Sequence, residues 1–191
     1  MDFKEIKNAR YLESGAIDCE VLFEEMEEYL PYTAIPDDTT ETGQTLWGAL
    51  MNGEFGEIAP FEATPEMTEA AKEQKLQEIG AWRDAQENSE FVFEFDGHRW
   101  DCGKISQSRL TPVVAAAKSN ILPDGFFWTD ADNNDVAMTP ERLVQLDSAM
   151  TQAVVAQGFK IHEHQRQMKE DVATLDSLED IRLYRVGWER A

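Results

Sequence analysis

The sequence predicts an α+β fold of small β-hairpins and helices, and three observations carry this prediction. Short segments of alternating apolar and polar residues indicate strands. The pair Asp96-Gly97 between two such segments is a strong hairpin signal. Two Thr-Pro-Glu motifs, at 64–66 and 139–141, are typical helix starts, because the hydroxyl caps the helix and proline suits its first turn. We therefore expect three parts: an N-terminal α+β module (1–63), a connector helix (64–88) and a C-terminal α+β domain with a long helix (89–191).

The N-terminal module is predicted to contain a β-hairpin and a short helix. Residues 6–12 and 16–23 read as its two strands, and apolar residues alternate with polar ones along the second. The segment around Pro31 favours an extended edge position, since proline cannot donate a ladder hydrogen bond. Residues 37–40 supply N-cap side chains for a short helix, which we expect to end at Gly53.

The remaining elements are predicted to be a connector helix, two hairpins and three further helices. The connector, 65–87, is mostly polar, and the helix at 105–119 is expected to persist despite Pro112, with the apolar run 113–117 buried. In chain order the other predicted elements are strands 91–95 and 98–102, strands 126–129 and 136–138, a long helix from 139 to about 173, and a short helix near 177–184.

The long helix carries one apolar stripe, formed by Leu143, Leu146, Met150, Val154, Ile161 and Met168. Packing against the hairpins of its own domain explains such a stripe. Self-association as a coiled coil is the alternative, which Gln157 and Gly158 in the middle of the helix weaken. The sequence leaves both interpretations open, and with them a homo-oligomer through this helix.

The charge of the chain is strongly negative. Seventeen basic residues stand against thirty-eight acidic ones, which gives a net charge of −21, and residues 1–62 alone carry −12. Direct binding to nucleic acid or to an anionic membrane is therefore not expected, because both need clustered basic side chains. The acidic surface either serves solubility or faces a basic partner.

The compartment is predicted to be a reducing cytoplasm. Cys19 and Cys102 lie far apart in strand-like segments, so we interpret them as core thiols. The first residues lack the basic and apolar regions of a secretory signal, and no apolar run is long enough to span a bilayer.

No arrangement of residues predicts a catalytic centre, a metal site or a cofactor. Residues 130–141 approach a calcium loop, with acidic or amide side chains at positions 1, 3, 5 and 12, but Asp135 stands where such a loop needs glycine. Turn residues of a hairpin explain the same letters. His162 and His164 are two apart in a predicted helix, so they point in different directions and cannot share a metal from one face. Enzymatic activity is therefore not predicted.

Two stretches resemble small tail proteins of tailed bacteriophages. Residues 30–38, 46–50 and 53–61 are similar to the N-terminal segment of tail-fibre assembly or tail-fibre-associated proteins. The second half, from Trp82-Arg83 through Trp128-Thr129-Asp130 to the long helix, is similar to a domain of unknown function at the C-terminus of such proteins. Neither stretch is a catalytic signature, so the resemblance transfers no functional residue.

The resemblance implies a non-enzymatic chaperone or accessory protein that binds a tail-fibre polypeptide in the bacterial host cytoplasm, with retention in the virion tail left open. The candidate partner contacts are five N-terminal aromatic residues: Tyr29, Tyr32, Trp47, Phe55 and Phe61. These five can instead belong to the core of the N-terminal module. A structural component of the tail or baseplate, and an acidic inhibitor of a host nucleic-acid-binding protein, are the alternative functions.

Overall fold

The computed structural model describes residues 2–188, which form a mixed α and β fold, as the sequence predicted. The chain divides into two compact units between Thr64 and Pro65. In the first unit the elements are β1 (Phe3–Tyr11), β2 (Ile17–Phe23), β3 (Leu30–Ala34) and α1 (Glu41–Met51). In the second they are α2 (Pro65–Glu87), β4 (Phe91–Phe95), β5 (His98–Cys102), α3 (Lys104–Lys118), β6 (Phe127–Thr129), β7 (Asp135–Ala137), α4 (Pro140–Thr174) and α5 (Leu178–Leu183).

The first unit is a three-stranded antiparallel sheet with one helix. The predicted hairpin is β1 and β2, and β3 pairs with the free side of β2. Pro31 lies on β3, an edge strand, where its missing N–H is tolerated. The Thr40 hydroxyl accepts the Gly43 N–H at 3.1 Å and thereby caps α1. The core of the unit is built from alternate residues of β2 and the inner face of α1: Ile17, Cys19, Val21, Phe23, Leu46 and Leu50.

Two separate hairpins, β4–β5 and β6–β7, lie in the second unit. Asp96 and Gly97 join the first pair with φ values of 53° and 74°, as a two-residue turn with both central residues left-handed requires. Trp128 and Val136 face each other in the second pair and point into the core. Both predicted hairpins are therefore confirmed.

Helix α3 runs through Pro112, as the sequence predicted. The proline is exposed, so the carbonyl group that it leaves without a helical donor can bond to water. The expectation that the whole run 113–117 is buried was wrong. Only Val114 and Ala117 of this run are buried, because a helical period of 3.6 residues turns Ala115 toward solvent.

Helix α4 has 35 residues and spans about 52 Å. Near its start, Leu143, Leu146 and Met150 pack with both hairpins and α3 in one core. Near its end, Met168 and Val172 pack with Ile79 of α2 in a second core. The predicted stripe is confirmed at five of its six positions, while Val154 is half-buried.

The long helix thus packs against its own hairpins only over its first half. Its second half packs against α2, which also packs against α5 and belongs to the second compact unit. Helix α2 is mostly polar, and Ile79 is its one buried residue. Between residues 2 and 188, no helix is both long and apolar enough to cross a membrane.

The open surface of α2 gives a stability prediction. Gly80→Ala should raise the free energy of unfolding of the second unit by about 0.5–1 kcal/mol, because alanine is the better helix former and its Cβ meets no atom within 4 Å. Gly97→Ala is the matched control and should destabilise the same unit, because its φ of +74° strains any side chain. Thermal unfolding measures both changes. A lower melting temperature for Gly80→Ala would contradict this packing of α2.

Candidate functional site

A groove of about 510 Å³ lies between β5, β6 and α3 in the second unit. Backbone and side-chain hydrogen bonds join the two hairpins: the Ala131 N–H donates to the Arg99 carbonyl at 2.8 Å, and the Arg99 side chain donates to Asp132 at 2.8 Å. No ladder hydrogen bonds join β5 to β6 beyond these contacts, because the hairpins are separate two-stranded sheets. The side chains that line the groove include Asp101, Arg109, Val113, Phe126, Phe127 and Trp128.

The aromatic wall of the groove follows from strand alternation in β6. Trp128 points toward the core and stacks with Phe126, with ring centroids 6.5 Å apart and an interplanar angle of 30°. Phe127 points the other way and leaves 51% of its surface exposed. In extended chain, Phe127 must point away from Phe126 and Trp128, so the groove has an apolar surface that the second unit does not cover.

The opposite wall is one face of α3. Ser106, Arg109 and Val113 are spaced at i, i+3 and i+7, which places them along one side of the helix. Leu110 and Val114 lie on the buried side. Among the residues that the structure describes, Arg109 has no ion pair, in a chain with more than twice as many acidic as basic residues. Its guanidinium group is free to bond with a carboxylate or to stack on an aromatic ring.

The loop after β6 is organised around the buried carboxylate of Asp130. Its Oδ1 atom accepts the backbone N–H groups of Asp132 and Asn134, each at 2.9 Å, and the Asn134 side-chain amide at 3.2 Å. His98 Nδ1 lies 3.0 Å from Oδ2. The hydrogen bonds from Asn134, together with those from His98 and Asp132, lower the pKa of Asp130 to about 2 despite its burial.

Helix α4 is hydrogen-bonded to both hairpins beside the groove. The Arg142 side chain in its first turn donates from Nε to Asp96 in the β4–β5 turn at 2.9 Å, and from Nη1 to the Ala137 carbonyl of β7 at 3.1 Å. One guanidinium group therefore holds both hairpins. Together with Asp130, it fixes the position of β6 relative to β5 and hence the width of the groove.

The calcium-like segment 130–141 comprises the loop between β6 and β7, strand β7 and the start of α4. The Asp130 carboxylate is occupied by N–H donors from its own loop, Asp132 bonds to Arg99, and Asp135 bonds to the Thr129 hydroxyl. Within residues 2–188, no group of three or more His, Cys, Asp or Glu side chains is arranged to hold a metal ion.

The two neighbouring histidines point in different directions, as predicted. His162 is exposed, whereas His164 lies in an aromatic cluster. The His164 ring stacks on Trp188 with centroids 4.8 Å apart, and its Nε2 atom lies 2.6 Å from the Gly187 carbonyl. Trp82 of α2 meets both rings edge-on. The cluster holds residues 184–188 against α2 and α4.

Both cysteines are core thiols, as the strand pattern predicted. Cys19 and Cys102 are buried, and neither forms a disulfide. Burial raises the pKa of each thiol to about 11. Both side chains are therefore thiols rather than thiolates near neutral pH.

The five aromatic residues predicted to contact a partner are all half-buried in the first unit. Tyr32, Trp47 and Phe55 pack against the same core, so the structure brings three of the five together. Tyr29 donates its hydroxyl proton to Glu5 at 2.6 Å, and Lys7 covers its ring. Phe61 is the remaining half-buried ring. Much of the area of these residues serves the fold of the first unit.

Comparison with known proteins identifies the family of the segment that contains the groove. A family model described as a domain of unknown function (DUF4376) matches residues 70–183, more than half of the chain. The chain belongs to the DUF4376 family. No curated protein and no solved structure matches it significantly. The groove lies wholly within the DUF4376 region, whereas the five N-terminal aromatic residues lie outside it.

Sequence reasoning did not identify Arg109 and Phe127 of the DUF4376 groove. The available signal was the run Phe126-Phe127-Trp128, whose alternation requires at least one outward-facing ring. The position of Arg109 opposite that ring depends on how α3 packs against the hairpins, which no local pattern encodes.

The pKa of Asp130 predicts how the stability of the DUF4376 region depends on pH. Because the pKa is lower in the folded state than its ordinary value of 3.8, ionised Asp130 stabilises the fold above about pH 4. This contribution should disappear as the pH falls from about 4 to about 2. The melting-temperature difference between the wild type and Asp130→Asn should therefore shrink over that range.

The control is Asp124→Asn, which changes an exposed carboxylate outside the loop. A wild-type advantage over Asp130→Asn that stays constant from pH 5 to pH 2 would contradict the assigned role of Asp130.

Proposed function

We propose that this DUF4376 protein is a non-enzymatic accessory protein that binds a tail-fibre polypeptide during its assembly in the bacterial cytoplasm, and that the groove between β5, β6 and α3 is the contact surface. The observation that carries the proposal is the exposed Phe127 ring opposite the unpaired Arg109. Aromatic and arginine side chains are the residue types that dominate binding energy at protein interfaces.

The form of the groove supports a polypeptide as its ligand. It is open rather than enclosed, and it has an apolar wall. Its charged lining residues are Asp101, Arg109 and the buried Asp130, whose carboxylate already accepts hydrogen bonds from its own loop. A short segment with an apolar side chain and a carboxylate can insert the first against Phe127 and pair the second with Arg109. The link to tail fibres comes from the sequence resemblance described above.

The charge of the chain supports the proposed role in a second way. A net charge of −21 keeps the protein soluble and repels other acidic surfaces. Contacts outside the groove are therefore expected to favour basic segments of the partner. A chaperone of this kind holds its client through a small apolar contact and discourages non-specific aggregation through its charge.

The experiment is co-expression with a tail-fibre polypeptide of a tailed bacteriophage, followed by affinity capture and a measurement of the dissociation constant. Phe127→Ala and Arg109→Ala should each weaken binding by at least about tenfold, as expected for central contact residues. Both side chains are exposed, so the melting temperature should change little.

The matched control is Ile121→Ala, which removes an apolar side chain that is 71% exposed and does not line the groove. Its affinity should equal that of the wild type. A fibre polypeptide that is equally soluble and correctly assembled without this chain would contradict the chaperone role, and equal binding by all three variants would contradict the groove as the surface.

A further inference from the structure

We propose that α2 and α4 form a binding site for an extended peptide segment, and that residues 184–188, which we call the strap, occupy this site as the chain's own exchangeable ligand. The site lies in a different part of the second unit from the fibre-binding groove and does not depend on the function proposed for that groove. The strap has no helix or strand of its own, and side chains hold it on the helical surface.

Every second residue of the strap packs onto the helices. Tyr184 and Val186 pack against the core that α2 shares with the end of α4, and Trp188 packs on the aromatic rings beside that core. Arg185, between the first two anchors, is exposed. An extended chain places alternate side chains on one side. The strap is therefore bound as extended peptides are in recognition grooves, where alternate side chains give specificity.

Trp188 is the anchor with the most specific contacts. Its ring stacks on His164 with centroids 4.8 Å apart and meets Trp82 edge-on at 5.1 Å, and its Nε1–H donates to Gln86 at 2.8 Å. His164 Nε2 lies 2.6 Å from the Gly187 carbonyl oxygen, and because a carbonyl only accepts, Nε2 is the donor. The two helices thus recognise an indole ring together with the peptide group that precedes it.

Gly187 adds a sequence requirement for the ligand. Its φ is +141°, a backbone conformation that L side chains rarely adopt. Space is not the limit, because a Cβ placed there meets only the Trp82 Nε1 atom, at 4.0 Å. The ligand class is therefore an extended segment with an aliphatic residue, glycine and tryptophan in succession, and an aromatic residue two positions before the aliphatic one.

The contacts of the strap are weak enough for it to open locally. All five of its residues are half-buried or exposed. Within residues 2–188, the segment 185–188 forms no backbone–backbone hydrogen bond. An open cleft of about 1,220 Å³ remains between the strap and α4, with Gln167 and Asp171 on its helical side. Few buried contacts and an exposed backbone are typical of segments that open while the rest of a domain stays folded.

The helical side of this contact lies inside the DUF4376 match, and the strap lies outside it. Ile79, Trp82, His164 and Met168 fall within residues 70–183, whereas the strap begins at residue 184. The matched region therefore carries an apolar and aromatic surface that a segment beyond it covers. Opening of the strap exposes this surface to a partner segment of the same chemistry. Because the strap is tethered, it competes at a high effective concentration and acts as an autoinhibitory ligand.

The first test is binding of an acetylated and amidated peptide of residues 184–188 to the full chain. In the double variant Val186→Ser/Trp188→Ala, the chain's own strap lacks two anchors. The peptide should therefore bind this variant at least about tenfold more tightly than the wild type. Addition of His164→Ala to the double variant should abolish binding. Isothermal titration calorimetry measures the affinities, and circular dichroism checks that each variant folds.

Peptide variants test the sequence requirement. Trp188→Ala in the peptide should weaken binding at least about tenfold, as for a central aromatic anchor. Gly187→Ala should also weaken it, whereas Arg185→Ala, at the exposed position, should bind as the parent peptide does. Absence of binding to the double-variant chain, or equal binding by the Trp188→Ala peptide, would overturn the proposal.

The second test uses the wild-type chain alone. Hydrogen exchange of the Trp188 Nε1–H, followed by NMR in increasing urea, should proceed by local opening. Its opening equilibrium constant should exceed that of the Met168 amide in α4 at least about 100-fold and should depend less on urea, because local opening exposes less surface than unfolding does. Equal opening constants for the two groups would show that the strap leaves only when the second unit unfolds, which excludes an exchangeable ligand.

Discussion

Burial of one stripe along α4 is the constraint on which the second unit depends. The same helix buries Leu143 and Leu146 against the hairpins and α3, and Met168 against α2. A continuous helix is stiff over this length, so each core is built on a common axis. Truncation of a fully buried leucine on this stripe would remove packing from three elements at once, since both hairpins and α3 rest on it.

The groove is a consequence of this arrangement. Two-stranded hairpins are marginal in isolation, and here residues of both hairpins pack into one core with the first half of α4. Arg142 ties both hairpins to the first turn of α4, and Asp130 ties the loop after β6 to its own backbone. The hairpins are thus held at a fixed separation without pairing edge to edge. The exposed Phe127 ring on β6 and the unpaired Arg109 on α3 therefore both line the groove.

Local signals predicted most of the elements but not their assembly. Alternation in β2, the Asp96-Gly97 turn and the threonine cap before α4 each depend on a few neighbouring residues, so the sequence reveals them directly. Helix α2 contributes one buried residue, Ile79, to its packing on α4. Its sequence therefore has almost no periodic pattern of apolar residues that would predict this contact. Burial of α3 was overestimated because a run of small apolar residues does not say which side of a helix faces outward.

The candidate site was the least predictable part for the same reason. Tyr32, Trp47 and Phe55 were predicted as partner contacts because they are aromatic and lie in the stretch that resembles tail-fibre assembly proteins. Each of them packs partly against the core of the first unit. Phe127 and Arg109 are 18 positions apart and become neighbours of one groove only through tertiary packing. A groove between elements has no sequence pattern of its own. The aromatic run Phe126-Phe127-Trp128 was the one local signal that indicated an exposed apolar surface.

Amide hydrogen exchange of this chain with and without a tail-fibre polypeptide, its proposed partner, distinguishes the groove from the first unit as the contact surface. We predict slower exchange on binding in β6 and along the Ser106–Val113 face of α3, with little change elsewhere in the second unit. Slower exchange confined to residues 29–61 of the first unit, or no change on either side of the groove, would contradict it.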